Sequence, residues 1–183
     1  MRANVELGSR DGVFPGVELV HVHNRGVAFG FRTISQLGIG YRHSPAVQDG
    51  RPAPRRGPKA GDRLPDARVA RDGQGCWLGE ALASPGFHLL LCGRSGGWDP
   101  GQLAAVRDRY AGILAVHHLT REPAPGALQD VDGQALARLG VEQAAHYLVR
   151  PDGHVGYRAA GTDLQGLQRY LARWLPNATP PPA

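Results

Sequence analysis

Long apolar runs, paired cysteines and lysine are what this sequence lacks. No window of 18 consecutive apolar residues exists in its 183 residues, so a membrane-spanning helix is not expected. The opening Met1-Arg2-Ala3-Asn4-Val5-Glu6 lacks the charged-then-apolar layout of a secretory leader, and the cytoplasm is the expected location. Two cysteines, Cys76 and Cys92, show neither Cys-x-x-Cys nor zinc-ligand spacing. Two such thiols read as buried or idle. Glycine is plentiful, 26 residues beside 15 prolines, but it follows no period, which excludes a collagen-like repeat. With 42% hydrophobic residues the chain can bury a core, which excludes wholesale disorder.

Lysine occurs once, as Lys59, among 21 basic residues, and the net charge is +5. The arginines are scattered rather than striped along one face. Their one cluster, Arg51, Arg55, Arg56, Lys59 and Arg63, lies among prolines without interleaved aromatics. Nucleic-acid binding is not expected, because neither a groove-reading helix nor a stacking platform accompanies that charge.

Three zones divide the chain. Residues 1–44 form an apolar, Gly-rich extension with possible strands at 17–23 and 37–41. Residues 45–66 carry Pro45, Pro52, Pro54, Pro58 and Pro65 and read as a Pro/Arg-rich linker or a wrapped extended segment. Residues 67–175 read as a compact α/β domain, and 176–183, with four prolines, as a disordered tail.

Inside the domain, Phe87 to Gly93 is a short apolar run of the kind a strand buried on both faces shows. Asp99 and Pro100 supply an N-cap and a first helical residue, and Gly112 ends that helix. Ile113 to Leu119 is a second buried strand, so strand, helix and strand make a βαβ unit with parallel pairing. Gln134 to Leu139 is a short helix stopped by Gly140. The runs 146–150 and 154–158 flank Asp152-Gly153, a hairpin signal. Thr162 or Asp163 caps a last helix with Leu164, Leu167, Leu171 and Trp174 on one face. The order βαβ, then ββα, predicts a thioredoxin-like α/β fold.

The stretch Ala60-Gly61-Asp62-Arg63-Leu64-Pro65-Asp66-Ala67, the run Phe87 to Gly93, and Tyr147-Leu148-Val149-Arg150-Pro151-Asp152-Gly153-His154-Val155-Gly156-Tyr157-Arg158 together resemble the C-terminal part of FAD-dependent aromatic hydroxylases. These are the class A flavoprotein monooxygenases of the phenol and polyketide hydroxylase type. Residues 34–45 resemble the chain leaving the FAD domain of that family, so 1–44 reads as a remnant of the end of such a region. Residues 1–33 match no part of the family.

The resemblance implies FAD and NAD(P)H for the parent enzymes. Their Gly-x-Gly-x-x-Gly turn, whose backbone N–H groups hold a pyrophosphate, is missing here: Gly12 and Gly16 merely bracket Phe14-Pro15. The expectation is an accessory domain that binds no cofactor on its own and packs against a flavin-binding module or forms a homodimer. A dithiol or peroxidatic site would need a Cys at the start of the first core helix, where this chain reads Arg94-Ser95-Gly96-Gly97-Trp98-Asp99-Pro100. No catalytic or metal-binding residue is assigned. His21 with His23 and His117 with His118 lack a third ligand, and Asp62, Arg63 and Asp66 read as surface pairing. The candidate interaction patch is Arg150, His154, Arg158 and Trp98, and Cys76 with Cys92 are the candidate redox thiols. Two other readings stand: a thioredoxin-fold redox protein using those thiols, and a small partner-binding module using the hairpin arginines.

Overall fold

The apolar run at 87–92 becomes the central strand of an eight-stranded sheet in the computed structural model, which describes residues 41–176. The strand expected at 17–23, the His21–His23 pair, the Gly12–Gly16 region, all but Tyr41 of the 37–41 strand, and all but Pro176 of the tail lie outside the described residues. In chain order the strands are β1 (Gln48–Asp49), β2 (Arg68–Arg71), β3 (Gln74–Trp77), β4 (Phe87–Cys92), β5 (Leu114–Thr120), β6 (Leu128–Gln129), β7 (Ala145–Val149) and β8 (Val155–Ala160). The helices are α1 (Leu78–Ala81), α2 (Pro100–Arg109), α3 (Gln134–Leu139) and α4 (Gln165–Trp174).

Across the sheet the strands run β1-β8-β7-β4-β5-β6-β2-β3. β4 pairs parallel with β5 and antiparallel with β7, and β7 pairs antiparallel with β8. With its helices this is the expected thioredoxin-like core. Side chains of β4 alternate between two layers, as the pleat requires. Leu89 and Leu91 pack with Leu103 and Val106 of α2 and Leu167 and Leu171 of α4. Leu90 and Cys92 pack with Leu78 of α1 and Ala135 and Leu139 of α3.

The helix ends carry much of the local specification. Asp99 accepts from the Gln102 amide at 2.7 Å with Pro100 at the first helical position, as its sequence predicts. The carboxylate of buried Asp130 takes the Ala135 and Leu136 amides at 3.1 and 2.9 Å at the start of α3. α4 departs from expectation. Its N-cap residue is Leu164, whose amide donates to the Gln102 side chain at 2.8 Å. Asp163 closes only a local turn onto the Gln165 amide.

The linker reading of 45–66 gives way to the wrapped-segment reading. β1 pairs parallel with β8, Gly61 N donates to Val155 O, Val155 N to Asp62 O, and Leu64 N to Gly153 O. Pro54, Pro58 and Ala60 are buried. Proline blocks helix and central strand, but an edge segment whose missing N–H groups face away from the sheet tolerates it. A second element absent from the sequence reading is the β2–β3 hairpin. Asp72 and Gly73 there have φ of 50° and 80°, the doubly positive pair of a two-residue I′ turn.

Candidate functional site

Two places on this scaffold hold the residues that sequence reasoning singled out. The first is the corner where β4 runs into α2. At Gly93, φ is 129°, and a Cβ would stand 2.8 Å from the Gln143 carbonyl, so only glycine lets the chain pass that close. Trp98 then turns inward and is 5% exposed. Its ring meets His146 edge-on at 5.8 Å, His146 stacks on Tyr157 at 5.9 Å, and Tyr157 tilts against Tyr170 at 5.3 Å. A row of four rings thus fills the layer between sheet and helices. Burial pushes the His146 imidazole down to about 4. Its Nδ1 lies 3.3 Å from the Gly161 carbonyl, which assigns the proton to that nitrogen. Trp98 Nε1 and His146 Nε2 are buried without a partner among the described residues.

No thiol stands at this corner's helix start. Cys92 ends β4 and is fully buried, and burial, with the Asp130 charge nearby, pushes its thiol far above the ordinary range. Cys76 lies half-buried in β3 and packs on the same hydrophobic layer as Cys92. Both are free. At the α2 N-terminus the Asp99 carboxylate already takes the Gln102 amide. A pyrophosphate placed there would meet a carboxylate where a dinucleotide site offers bare N–H groups. This turn therefore does not fit a flavin dinucleotide.

The second place is the β7–β8 turn. Pro151, Asp152 and Gly153 connect the strands, with Gly153 at φ 79° and the Arg150 amide donating to the His154 carbonyl at 2.8 Å. Arg150 Nη2 donates to Asp152 Oδ2 at 2.8 Å, and its guanidinium lies 5.5 Å over the Tyr41 ring. Tyr41 in turn meets the His154 ring edge-on at 5.0 Å. The structure brings Arg150 and His154 together, as expected for one hairpin.

It separates the other two residues of the expected patch. Arg158 is buried and holds Asp49 at 2.7 and 3.3 Å and the Pro58 carbonyl at 2.8 Å. Trp98 belongs to the ring row just described. Sequence alone leaves the guanidinium on a strand surface and the indole in a loop; in the fold the wrapped segment covers the first, and the second packs against His146 of β7.

Two features escaped the sequence reading. His88 and His117 are hydrogen-bonded at 3.0 Å, His88 Nε2 lies 2.9 Å from the Ser84 carbonyl, and Arg71 approaches His117 Nδ1 at 3.5 Å. A carbonyl only accepts, so His88 Nε2 carries the proton, its Nδ1 accepts, and His117 donates from Nε2. Burial, the His88 ring and Arg71 push His117 down to about 4. His118 points to the opposite face, toward Arg107. The parallel register that sets His117 opposite Leu90, and so on the face of His88, is the signal that pairs the two rings, and it exists only after folding. No group of three His, Cys, Asp or Glu side chains converges among the described residues. The other feature is an aromatic cavity beside the β7–β8 turn.

The family described as "Aromatic-ring hydroxylase, C-terminal" matches residues 57–178. The tetracenomycin A2 monooxygenase-dioxygenase of Streptomyces glaucescens is 33% identical over 160 residues, which are 80% of this chain and 26% of that protein. Aklavinone-11 hydroxylase, solved with FAD and aklavinone, is 28% identical, with a TM-score of 0.57 over 76% of this chain and 27% of that one. The chain thus spans about a quarter of the length of these relatives. A thiol peroxidase from Chromobacterium violaceum shares the fold at 16% identity, with a TM-score of 0.53 over 70% of this chain and 96% of that one.

Proposed function

Because this chain belongs to the aromatic-ring hydroxylase C-terminal family, we propose that it is a non-catalytic accessory domain of flavin-dependent aromatic-ring monooxygenation. It packs against a flavin-binding module, and that module or partner handles FAD and NAD(P)H. The observation that carries this reading is the corner of β4 and α2. A dithiol or peroxidatic protein of this fold needs a reactive thiol at that helix start, activated by the helix N-terminus. Here Asp99 occupies the position and takes the Gln102 amide, while Cys92 is buried with its thiol held protonated. The same facts weigh against a stand-alone redox protein built on Cys76 and Cys92.

The test is direct. The purified chain should be colourless, should oxidise no NAD(P)H in the presence of aromatic substrates, and should reduce neither insulin nor peroxide. Stoichiometric FAD recovered from the isolated chain, or peroxide reduction abolished in Cys92→Ser, would overturn the reading.

A further inference from the structure

Between the β7–β8 turn and the C-terminal end of α4 lies a cavity of about 430 Å³. That is within the range of small-molecule sites, roughly 300–1,000 Å³. Its walls are the rings of Phe87, Tyr170 and Trp174 with Leu175, and only Arg150 and Asp152 bring charge to it. Tyr170 and Trp174 stand four residues apart on α4, so both project from one face of the helix.

The walls are held in place before any ligand arrives. The Tyr170 hydroxyl donates to the Ala46 carbonyl at 2.7 Å. Arg150 is gripped from two sides, by Asp152 at 2.8 Å and by the Tyr41 ring at 5.5 Å. Gly156 permits the junction: a Cβ there would stand 3.0 Å from the Tyr170 hydroxyl and 3.2 Å from Arg150 Cγ. Trp174 is 36% exposed, with the Arg173 guanidinium 5.1 Å from its ring.

We propose that this cavity binds a neutral, planar aromatic compound bearing one group that both donates and accepts hydrogen bonds, such as a primary carboxamide. Three rings supply flat apolar walls. The Arg150–Asp152 pair supplies a donor and an acceptor side by side with no net charge. An amide matches that pair, its carbonyl accepting from Arg150 and its N–H donating to Asp152. An aromatic carboxylate would compete with Asp152 for Arg150 and leave one carboxylate unmatched, and an ammonium would do the converse. The inference is independent of the accessory-domain reading, because it uses no flavin module.

Equilibrium dialysis of the full chain against 2-naphthamide, 2-naphthoate and naphthalene tests it. Saturable one-to-one binding of 2-naphthamide is expected, tighter than binding of the other two. Trp174→Ala should weaken it about fivefold to tenfold, the worth of one ring contact. Trp77→Ala removes an equally exposed ring, 40% accessible on β3, and should leave binding unchanged. Asp152→Asn leaves Arg150 without its counter-charge and should reverse the order of amide and carboxylate. Lack of saturable binding, equal losses in Trp174→Ala and Trp77→Ala, or equal binding of amide and carboxylate by the unaltered chain would each overturn the proposal.

Discussion

Arg158 and Asp49 meet at the edge of the sheet, the guanidinium Nε donating to Asp49 Oδ1 at 2.7 Å although 109 residues separate them. The arginine is 4% exposed and also donates to the Pro58 carbonyl. It fastens the proline-rich segment to β8. Arg158→Met should destabilise the chain by about 2–3 kcal/mol, less than the loss of a partner in a fully buried pair because Asp49 is partly exposed. Urea unfolding of Arg158→Met, Asp49→Asn and the double variant measures it. The double variant should cost clearly less than the two single losses added together.

Two glycines with positive φ, one in the β2–β3 turn and one at the C-terminal end of α3, respond differently to the same change. Gly73 has φ of 80° and open space around it, so Gly73→Ala should cost about 1 kcal/mol, from backbone conformation alone. Gly140 has φ of 69°, and a Cβ there would run into the backbone of Arg56. Gly140→Ala should cost distinctly more. Thermal unfolding of the two variants side by side makes the comparison, and equal losses would contradict the contact at Arg56.

Acid should weaken the fold in two separate windows. The imidazoles of His146 and His117 sit near 4 in the folded chain, below their ordinary 6.5. The unfolded chain therefore takes up protons between pH 6.5 and 4 that the native chain refuses, and stability falls as pH drops through that interval. His146→Phe should flatten this slope. Asp49 and Asp62 are held below their ordinary value: burial pushes Asp49 up, but the Arg158 hydrogen bond, the Ala60 amide and the nearby positive charges together outweigh it, and Asp62 is lowered first by its hydrogen bond from Arg42. Their stabilisation is present above about pH 4 and is lost as pH falls through their folded values. Urea midpoints measured from pH 7 to 3 resolve both phases.

Thiol chemistry should distinguish the two cysteines. Cys92, fully buried, should react with a disulfide reagent only after unfolding. Any thiol that reacts in the native chain should vanish in Cys76→Ser. Two rapid thiols in the native protein would contradict the packing of β4.

How much of this was legible beforehand follows physical lines. Wherever an element is specified by neighbours in sequence, the reading holds: the apolar run of β4, the Asp99–Pro100 start of α2, the Gly140 stop of α3 and the Asp152-Gly153 turn. The β2–β3 hairpin escaped because Arg68–Trp77 mixes charge and glycine too freely to alternate, so only its Asp72-Gly73 turn marked it. The α4 cap escaped because its amide partner is Gln102, 62 residues away.

The sequence by itself determined the thioredoxin-like order of strands and helices, the missing thiol at the α2 start, and the family, because these rest on periodicity, capping and local motif. Only the tertiary structure decided which arginine is a surface group and which a buried clamp, which tryptophan is inside, and that His88 and His117 form one hydrogen-bonded pair. Those outcomes depend on strand register and on what the proline-rich segment covers, contacts between residues far apart in the chain that no local pattern encodes.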